Sequence, residues 1–268
     1  TDNTAADGSN MYFYSNKTVA LSDGNGKTLS TDSNVGVTTR AAPTEGNDVQ
    51  FATSATGDMK KCFKPEVKNY AVKYNSNESA LYLTIPIYDE LWYKADSSGT
   101  KKFFEGSDAS NLAETDITKF SDAVSALNST GTIHMMGQYS STTDEETTLP
   151  AGKNITVVRD SSFTNASMFK ITGGTFTVKA TDTTSSITFD GQKIETTVKE
   201  GGAFYVKGGN INLSGAEKTV DGQKEKTIVI KQNTVSSSYA QGGGVYINGN
   251  GTNTLTNCSI TGNTASTS

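Results

Sequence analysis

The chain holds 268 residues, 34% of them hydrophobic, with 26 Gly, only 4 Pro and a net charge of −5. Lys and Asp/Glu are interspersed with no basic stripe, which excludes a nucleic-acid-binding surface. No apolar run reaches the roughly eighteen residues of a membrane-spanning helix.

Ser, Thr, Asn and Gly fill the polar half, a mix suited to many short strands joined by tight turns. The opening TDNTAADGSN has neither Met nor an apolar stretch, so any signal peptide is expected to have been removed already. Cys62 and Cys258 lie far apart in unlike segments and make no disulfide framework. Several N-x-S/T sequons occur, as expected by chance in a chain this rich in Asn and Thr; Asn154-Ile155-Thr156 enters an apolar strand, against reading them as glycosylation sites.

Residues 1–110 predict strands at Met11–Tyr14, Val49–Ala52, Asn69–Tyr74, Ala80–Ile87 and Leu91–Ala95. Apolar residues alternate at Tyr70, Val72 and Tyr74 and again at Leu81, Leu83, Ile85 and Ile87, which suggests a small β-sandwich. Lys94–Asn111, with its DSSGTKK and EGSDAS stretches, reads as a linker. Next come Ile117, Phe120, Val124 and Leu127, spaced three, four and three, as one apolar face of a helix over about residues 116–128. Asp116 is its expected N-cap and Asn128–Gly131 its stop.

A repeat follows. Gly242-Gly243-Gly244-Val245-Tyr246-Ile247-Asn248-Gly249 matches Gly201-Gly202-Ala203-Phe204-Tyr205-Val206-Lys207-Gly208 and, more loosely, Ala166–Gly173. Each copy continues into a second short strand (Phe176–Val178, Ile211–Leu213, around Leu255) and a third (Ile187–Phe189, Ile228–Ile230, Cys258–Ile260). Ile133–Met135 and Ile155–Val157 are expected as the first and third strands of a leading turn. The period drifts from about 35 to about 41 residues because loops such as Ala216–Lys226 differ in length. Strand side chains alternate faces, so Phe169/Ile171, Phe204/Val206 and Val245/Ile247 share one side. Stacking the copies in parallel then gives a three-sided parallel β-helix; an antiparallel sandwich of the same strands is the alternative, and it would leave the repeat unexplained. Gly pairs open the first strands, where φ may be positive, and Asn233 and Asn263 fall at matching places where Asn side chains form a ladder.

In this reading the helix covers one end of the coil, while the last repeat is bare. The sequence is therefore expected to be a piece of a longer protein, with more turns or a C-terminal cap beyond Ser268.

The run Phe120–Leu127, Gly131-Thr132-Ile133 and Leu149–Val157 resembles the start of pectin-lyase-like right-handed parallel β-helix proteins. The run GGGVYINGNGT…CSITGNTAS resembles repeats of bacterial surface β-helix proteins, including polymorphic-outer-membrane-type adhesins. The resemblance covers about residues 112–268 and implies the fold; lyases, glycosidases and adhesins all use it. Cys62–Val72 is similar to the F-x-P-x-V-x-x-Y-x-V signature of cadherin-like β-sandwich modules in bacterial surface proteins.

A lyase of this fold, the resemblance implies, needs clustered carboxylates for Ca²⁺ and an Arg or Lys base, and a glycosidase needs two carboxyl groups. The outward positions of the expected first-strand column are His134, Lys170, Tyr205 and Tyr246, flanked by Met136, Thr172, Lys207 and Asn248, with no acid among them. The third-strand column (Thr188/Asp190, Val229/Lys231, Ser259/Thr261) offers one. Asp190-Gly191-Gln192-Lys193 recurs as Asp221-Gly222-Gln223-Lys224, and both read first as Asp-Gly turns. Arg40 and Arg159 are the only arginines. His134, the sole histidine, reads as a surface side chain and Cys258 as a core thiol. Cys62 lacks His-Asp company for a nucleophile. Trp92-Tyr93 is either a sugar-stacking platform or sandwich packing.

The surface feature with functional promise is the Tyr205–Tyr246 step beside Lys170 and Lys207, although Tyr also simply suits a strand surface. The sequence thus predicts an all-β chain: a sandwich-like module at 1–110, then a right-handed parallel β-helix with an N-terminal capping helix at 111–268. The expected role is that of a secreted or bacterial cell-surface protein, outer-membrane or wall associated, that binds a glycan or a host or matrix protein and needs no metal or cofactor. The alternative is a polysaccharide lyase or glycoside hydrolase whose catalytic residues lie outside these residues.

Overall fold

Short apolar segments punctuated by Gly, Asn and Asp fold almost wholly into strands. The structure, a computed structural model, describes residues 9–13, 18–21, 35–44, 47–66, 70–95 and 98–267. The chain divides into two compact units, Thr1–Pro86 and Ile87–Ser268.

In the first unit, β1 (Ser9–Phe13), β2 (Val19–Ala20), β3 (Val35–Thr39), β4 (Val49–Thr53), β5 (Phe63–Pro65), β6 (Ala71–Asn75) and β7 (Ala80–Thr84) form two sheets, ordered β1-β3-β5 and β2-β4-β7-β6. Val37, Phe51, Met59, Phe63, Val72, Leu81 and Leu83 pack into one core, with Phe51 and Phe63 edge to face at 5.3 Å. The β1-β3-β5 sheet is parallel throughout, so this unit is not a purely antiparallel sandwich. The strand expected through Ile87 stops at Thr84. Tyr14 and Asn69, at the ends of two expected strands, and Val67–Asn69 of the cadherin-like signature lie outside the described residues.

The division falls at residue 86, not 110. Leu91–Ala95 belongs to β8 (Tyr88–Ala95), and the expected linker contains β9 (Lys101–Glu105), antiparallel to β8. Leu91, Tyr93 and Phe103 carry the reason: all three are buried in the core of the second unit. Their apolar periodicity places them on that core, whatever the polar residues between them suggest.

After β10 (Ala113–Glu114), α1 (Phe120–Ala126) lies where a helix was expected but is shorter, because Leu127 already begins β11 (Leu127–Met135). Its N-cap is Lys119, not Asp116, and makes no side-chain cap bond. The first turn is satisfied from elsewhere in the chain: Phe120 N–H donates to Tyr139 Oη (3.0 Å) and Ser121 N–H to Glu145 Oε1 (3.1 Å), while Tyr139 donates to Glu145 (2.6 Å). Ile117, Phe120, Val124 and Leu127 are buried together, as their spacing requires.

From β11 the chain adds strands in rotation: β12 (Tyr139–Ser141), β13 (Glu145–Thr148), β14 (Asn154–Arg159), β15 (Phe169–Ile171), β16 (Thr175–Ala180), β17 (Ser186–Asp190), β18 (Glu195–Thr196), β19 (Phe204–Lys207) and β20 (Asn210–Gly215). A hairpin of β21 (Glu217–Val220) and β22 (Gln223–Lys226) intervenes. Then follow β23 (Ile228–Lys231), β24 (Thr234–Ser236), β25 (Val245–Asn248), β26 (Thr254–Thr256), β27 (Cys258–Thr261) and β28 (Thr264–Ser266). The sheets are β12-β15-β19-β25, β13-β16-β20-β26, β18-β24-β28 and the long sheet β10-β9-β8-β11-β14-β17-β23-β27. From β8 through β11 onward, every pairing within these four sheets is parallel.

Ile133–Met135 is thus not a first strand. It pairs with Val157–Arg159 in the long sheet, Ile133 opposite Val157, while Ile155 meets Gly131. The true first and second strands of that pass are β12 and β13, whose inward positions hold Tyr139, Ser141, Glu145 and Thr147 in place of aliphatics. They read as polar in sequence because two of them hydrogen-bond the start of α1.

Phe169, Phe204 and Val245 are successive partners in one sheet. Phe169, Phe176 and Phe189 come from three different sheets, and Phe120 of the helix reaches all three, at 5.2, 5.7 and 6.4 Å between ring centroids. Phe204 stacks on Phe169 at 5.0 Å and meets Phe189 at 4.8 Å. One aromatic column therefore fills the interior, and α1 closes one end of it.

The turns repeat as well. Gly201 (φ 60°) and Gly242 (φ 59°) are left-handed, and a Cβ on either would fall 2.1 or 2.3 Å from a carbonyl oxygen three residues on. Asn263 Oδ1 accepts from the backbone N–H and the side-chain amide of Asn233, both at 3.0 Å, while Asn263 Nδ2 donates to Ile230 O at 2.9 Å. The left-handed residue is the preceding one, Gln232 or Gly262, not the Asn itself. The Ala216–Lys226 insertion is the β21–β22 hairpin, with Asp221 and Gly222 both at positive φ, the Asp-Gly pattern of a primed turn. Asp190-Gly191 differs: there Gln192 and Lys193 take positive φ, and Asp190 Oδ1 accepts from Gln192 N–H at 2.7 Å.

Candidate functional site

Outward positions of the β12-β15-β19-β25 sheet run Ser140, Lys170, Tyr205 and Tyr246 in direct register. Flanking side chains on adjacent parallel strands sit one strand spacing apart, so like residues stack. The Tyr205 and Tyr246 rings lie 5.8 Å apart and 35° from parallel. The Lys170 ammonium stands 6.0 Å from the Tyr205 ring centroid, at the outer limit of cation–π contact. Both tyrosines are half-exposed. Lys207, two residues along β19 on the same face, is exposed and pairs with Asn248 of β25; it flanks the tyrosines and does not stack on them. All four expected residues thus share one face, and no carboxylate interrupts their column.

No known protein family, curated protein or solved structure shows significant similarity to this chain.

The structure adds Lys101 to this face. Its ammonium donates to Gln138 O at 2.8 Å, and partial burial together with the nearby Lys170 charge lowers its pKa. Nothing in the sequence signals this, because Lys101 enters from β9, a strand of another sheet, through a segment rich in Ser and Gly. A second exposed aromatic, Tyr239, carries the Lys199 ammonium 5.8 Å from its ring centre.

His134 is not part of the tyrosine column. It lies in the long sheet, in register with Trp92 on one side and Val158 on the other. Its ring stacks on Trp92 at 3.8 Å and 9°. Nor is it a plain surface residue: burial lowers its pKa, opposed by Glu90, whose carboxylate is 3.8 Å away, and by Asp160. The same stack covers Trp92, which is buried and donates from Nε1 to Gly106 O at 3.0 Å. A flat sugar platform at Trp92-Tyr93 is therefore ruled out, and both rings pack in the second unit, not in a sandwich.

Asp190 meets Lys231, its register partner, at 3.2 Å. Asp221 sits in the hairpin turn. Among the described residues no group of three His, Cys, Asp or Glu is arranged to hold a metal, and no helix is long and apolar enough to cross a membrane. Arg159 is fully buried without a carboxylate. Its guanidinium donates to the carbonyls of Phe163, Ala166 and Gly202 at 2.8, 2.9 and 2.6 Å and lies over the Phe163 ring. Burial lowers its pKa to about 10, so as a cation it ties the β14–β15 loop to the β18–β19 loop. Cys258 occupies an inward position, and burial raises its thiol to about 11.

Proposed function

We propose that the second unit is a right-handed parallel β-helix and that the protein is secreted or held at a bacterial surface, where the outward β12-β15-β19-β25 sheet presents a binding face. Its partner in this reading is a glycan or a host or matrix protein. The observation that carries the reading is the Tyr205–Tyr246 pair: two half-exposed rings one strand apart, with Lys170 over one of them and Lys207 beside it. Stacked aromatic faces offer an apolar bed to a sugar ring or to a partner's side chain, and the ammonium groups add polar anchors. The strand rotation and the unbroken parallel register support the β-helix.

Tyr205→Ala/Tyr246→Ala tests the site on an array of glycans and matrix proteins. Each aromatic contact is worth about 1 kcal/mol, so the double variant is expected to weaken the wild-type signal by about tenfold or more with an unchanged circular dichroism spectrum. Equal binding by the two proteins, or no binding by the wild type to any spot, rejects the site.

A further inference from the structure

Two ammonium groups meet at the start of β12. Lys101 reaches it from β9, where its Nζ donates to Gln138 O at 2.8 Å. Lys170 stands in the neighbouring strand opposite Ser140, two residues beyond Gln138. The two charges act on each other: after burial, it is Lys170 that holds the Lys101 pKa below its ordinary value. One strand further along, the Tyr205 ring centroid lies 6.0 Å from the Lys170 ammonium. Lys207, two residues on from Tyr205 in β19, projects from the same face.

Several other lysines of this unit are paired: Lys102 with Glu114, Lys179 with Glu146, Lys231 with Asp190, and both Lys224 and Lys226 with Glu217. Among the described residues, Lys101, Lys170 and Lys207 have no carboxylate partner. Asp144 and Glu200 lie in turns beside the face, and Asp144 Oδ1 is already taken by the Thr175 N–H at 2.8 Å. Like charges held together without a counterion repel until an anion arrives, so the pair favours a negative ligand. The residue type narrows that ligand. A guanidinium presents the planar fork that matches a flat carboxylate, whereas an ammonium is a compact charge with three donors. This face has no arginine: Arg159 is buried and Arg40 belongs to the first unit. Two point charges converging from different strands fit a tetrahedral oxyanion, whose oxygens point in several directions.

We propose that the ligand of this face is a sulfated polysaccharide, with a sulfate ester held between Lys101 and Lys170 and a neighbouring sugar ring on Tyr205. This rests on the β12-β15-β19-β25 sheet being the binding face, and it narrows the partner to one chemistry. Adjacent strands stand about 4.8 Å apart, so a chain running along the stack meets the ammonium pair and the aromatic ring in succession. Lys207 lies beside that path. An acidic peptide would supply charge but no pyranose face for Tyr205, and a neutral glycan would leave both ammonium groups without a counterion.

Fluorescence anisotropy of the full chain with a labelled heparin oligosaccharide tests this, against the same oligosaccharide stripped of its sulfates, an oligogalacturonate of equal length and a polyglutamate peptide. The wild type is expected to bind the sulfated chain ~10-fold or more tightly than any of the other three, and to lose affinity as salt is added. Lys101→Gln/Lys170→Gln is expected to raise the Kd for the sulfated chain by ~10-fold or more and to flatten its salt dependence, with an unchanged circular dichroism spectrum. Lys199→Gln, beside the other exposed tyrosine, should bind as the wild type does. The inference is overturned by a wild type that ignores the sulfated chain or binds any of the other probes equally well. Full binding by the double lysine variant, or an equal loss in Lys199→Gln, also overturns it. A wild type that prefers one of the unsulfated probes and loses it with Tyr205→Ala/Tyr246→Ala keeps the binding face and refutes only the sulfate, whereas a wild type silent toward every probe and every spot of the array removes both.

Discussion

The pass that holds Phe204 and the pass that holds Val245 are built from nearly the same sentence of sequence, GGAFYVKG and GGGVYING, with the same left-handed glycine before each first strand. They differ in what surrounds them. Phe204 packs between Phe169 and Phe189 and is wholly buried, whereas Val245 has the stack on one side only. Local sequence therefore sets the path of each pass, while its neighbours set its stability. In stacked repeats each unit gains an interface term from either side, and a terminal pass gains only one.

The difference is open to direct measurement. Phe204→Ala removes a ring that touches three others and is expected to cost about 4 kcal/mol of stability. Val245→Ala, at the matching position one strand on, is expected to cost about 1 kcal/mol or less, since its site is already partly wet. Urea unfolding followed by far-UV circular dichroism compares the two midpoints. Equal shifts would mean that the last pass is packed as tightly as the one below it.

A smaller effect isolates the bond between these passes. Asn263→Ala deletes two hydrogen bonds accepted from Asn233 and one donated to Ile230, and leaves the Asn233 N–H and the Ile230 carbonyl without those partners. The expected loss is about 2 kcal/mol, confined to the last pass. Hydrogen exchange at the Asn233 amide is expected to accelerate by ~10-fold or more, with exchange in β15 and β16 unaltered. Uniform acceleration throughout the second unit would show that the passes open as one.

These contrasts also explain which parts of the fold could be read from the sequence. Phe169, Phe204 and Val245 each stand four residues before a glycine (Gly173, Gly208 and Gly249), so their shared sheet and the third-strand register were legible from spacing alone. So was the apolar face of α1. What escaped was the closed end. There the inward places are taken by Tyr139, Ser141, Glu145 and Thr147, because a hydrogen-bonded group rather than an aliphatic layer receives the helix N-terminus. Polar inward residues erase the period-2 signal. The strand at Leu91–Ala95 was legible but its place was not: β8 and its antiparallel neighbour β9 join the long sheet through pairings that no repeat foretells. The tyrosine column was legible because it lies inside the repeat, and Lys101 was not because it comes from outside it.

His134 and Trp92 mark that non-repeating junction and give it an optical probe, since the chain has one histidine and one tryptophan. The imidazole lies flat on the indole, and burial there lowers its pKa from the ordinary 6.5. The neutral form is the one the fold favours, so below pH 6.5 the unfolded chain binds more protons than the folded one. The stabilisation is accordingly complete above about pH 6.5 and is lost as pH falls through the lower folded value. Glu90 and Asp160 oppose the shift, which keeps the effect small. Imidazolium quenches indole emission on contact, so Trp92 fluorescence is expected to fall with a midpoint below 6.5. His134→Gln should flatten the fluorescence titration and remove the matching slope in stability. A midpoint above 6.5 would mean that the Glu90 carboxylate outweighs burial, and that Trp92 shields the imidazole less than the 3.8 Å stack indicates.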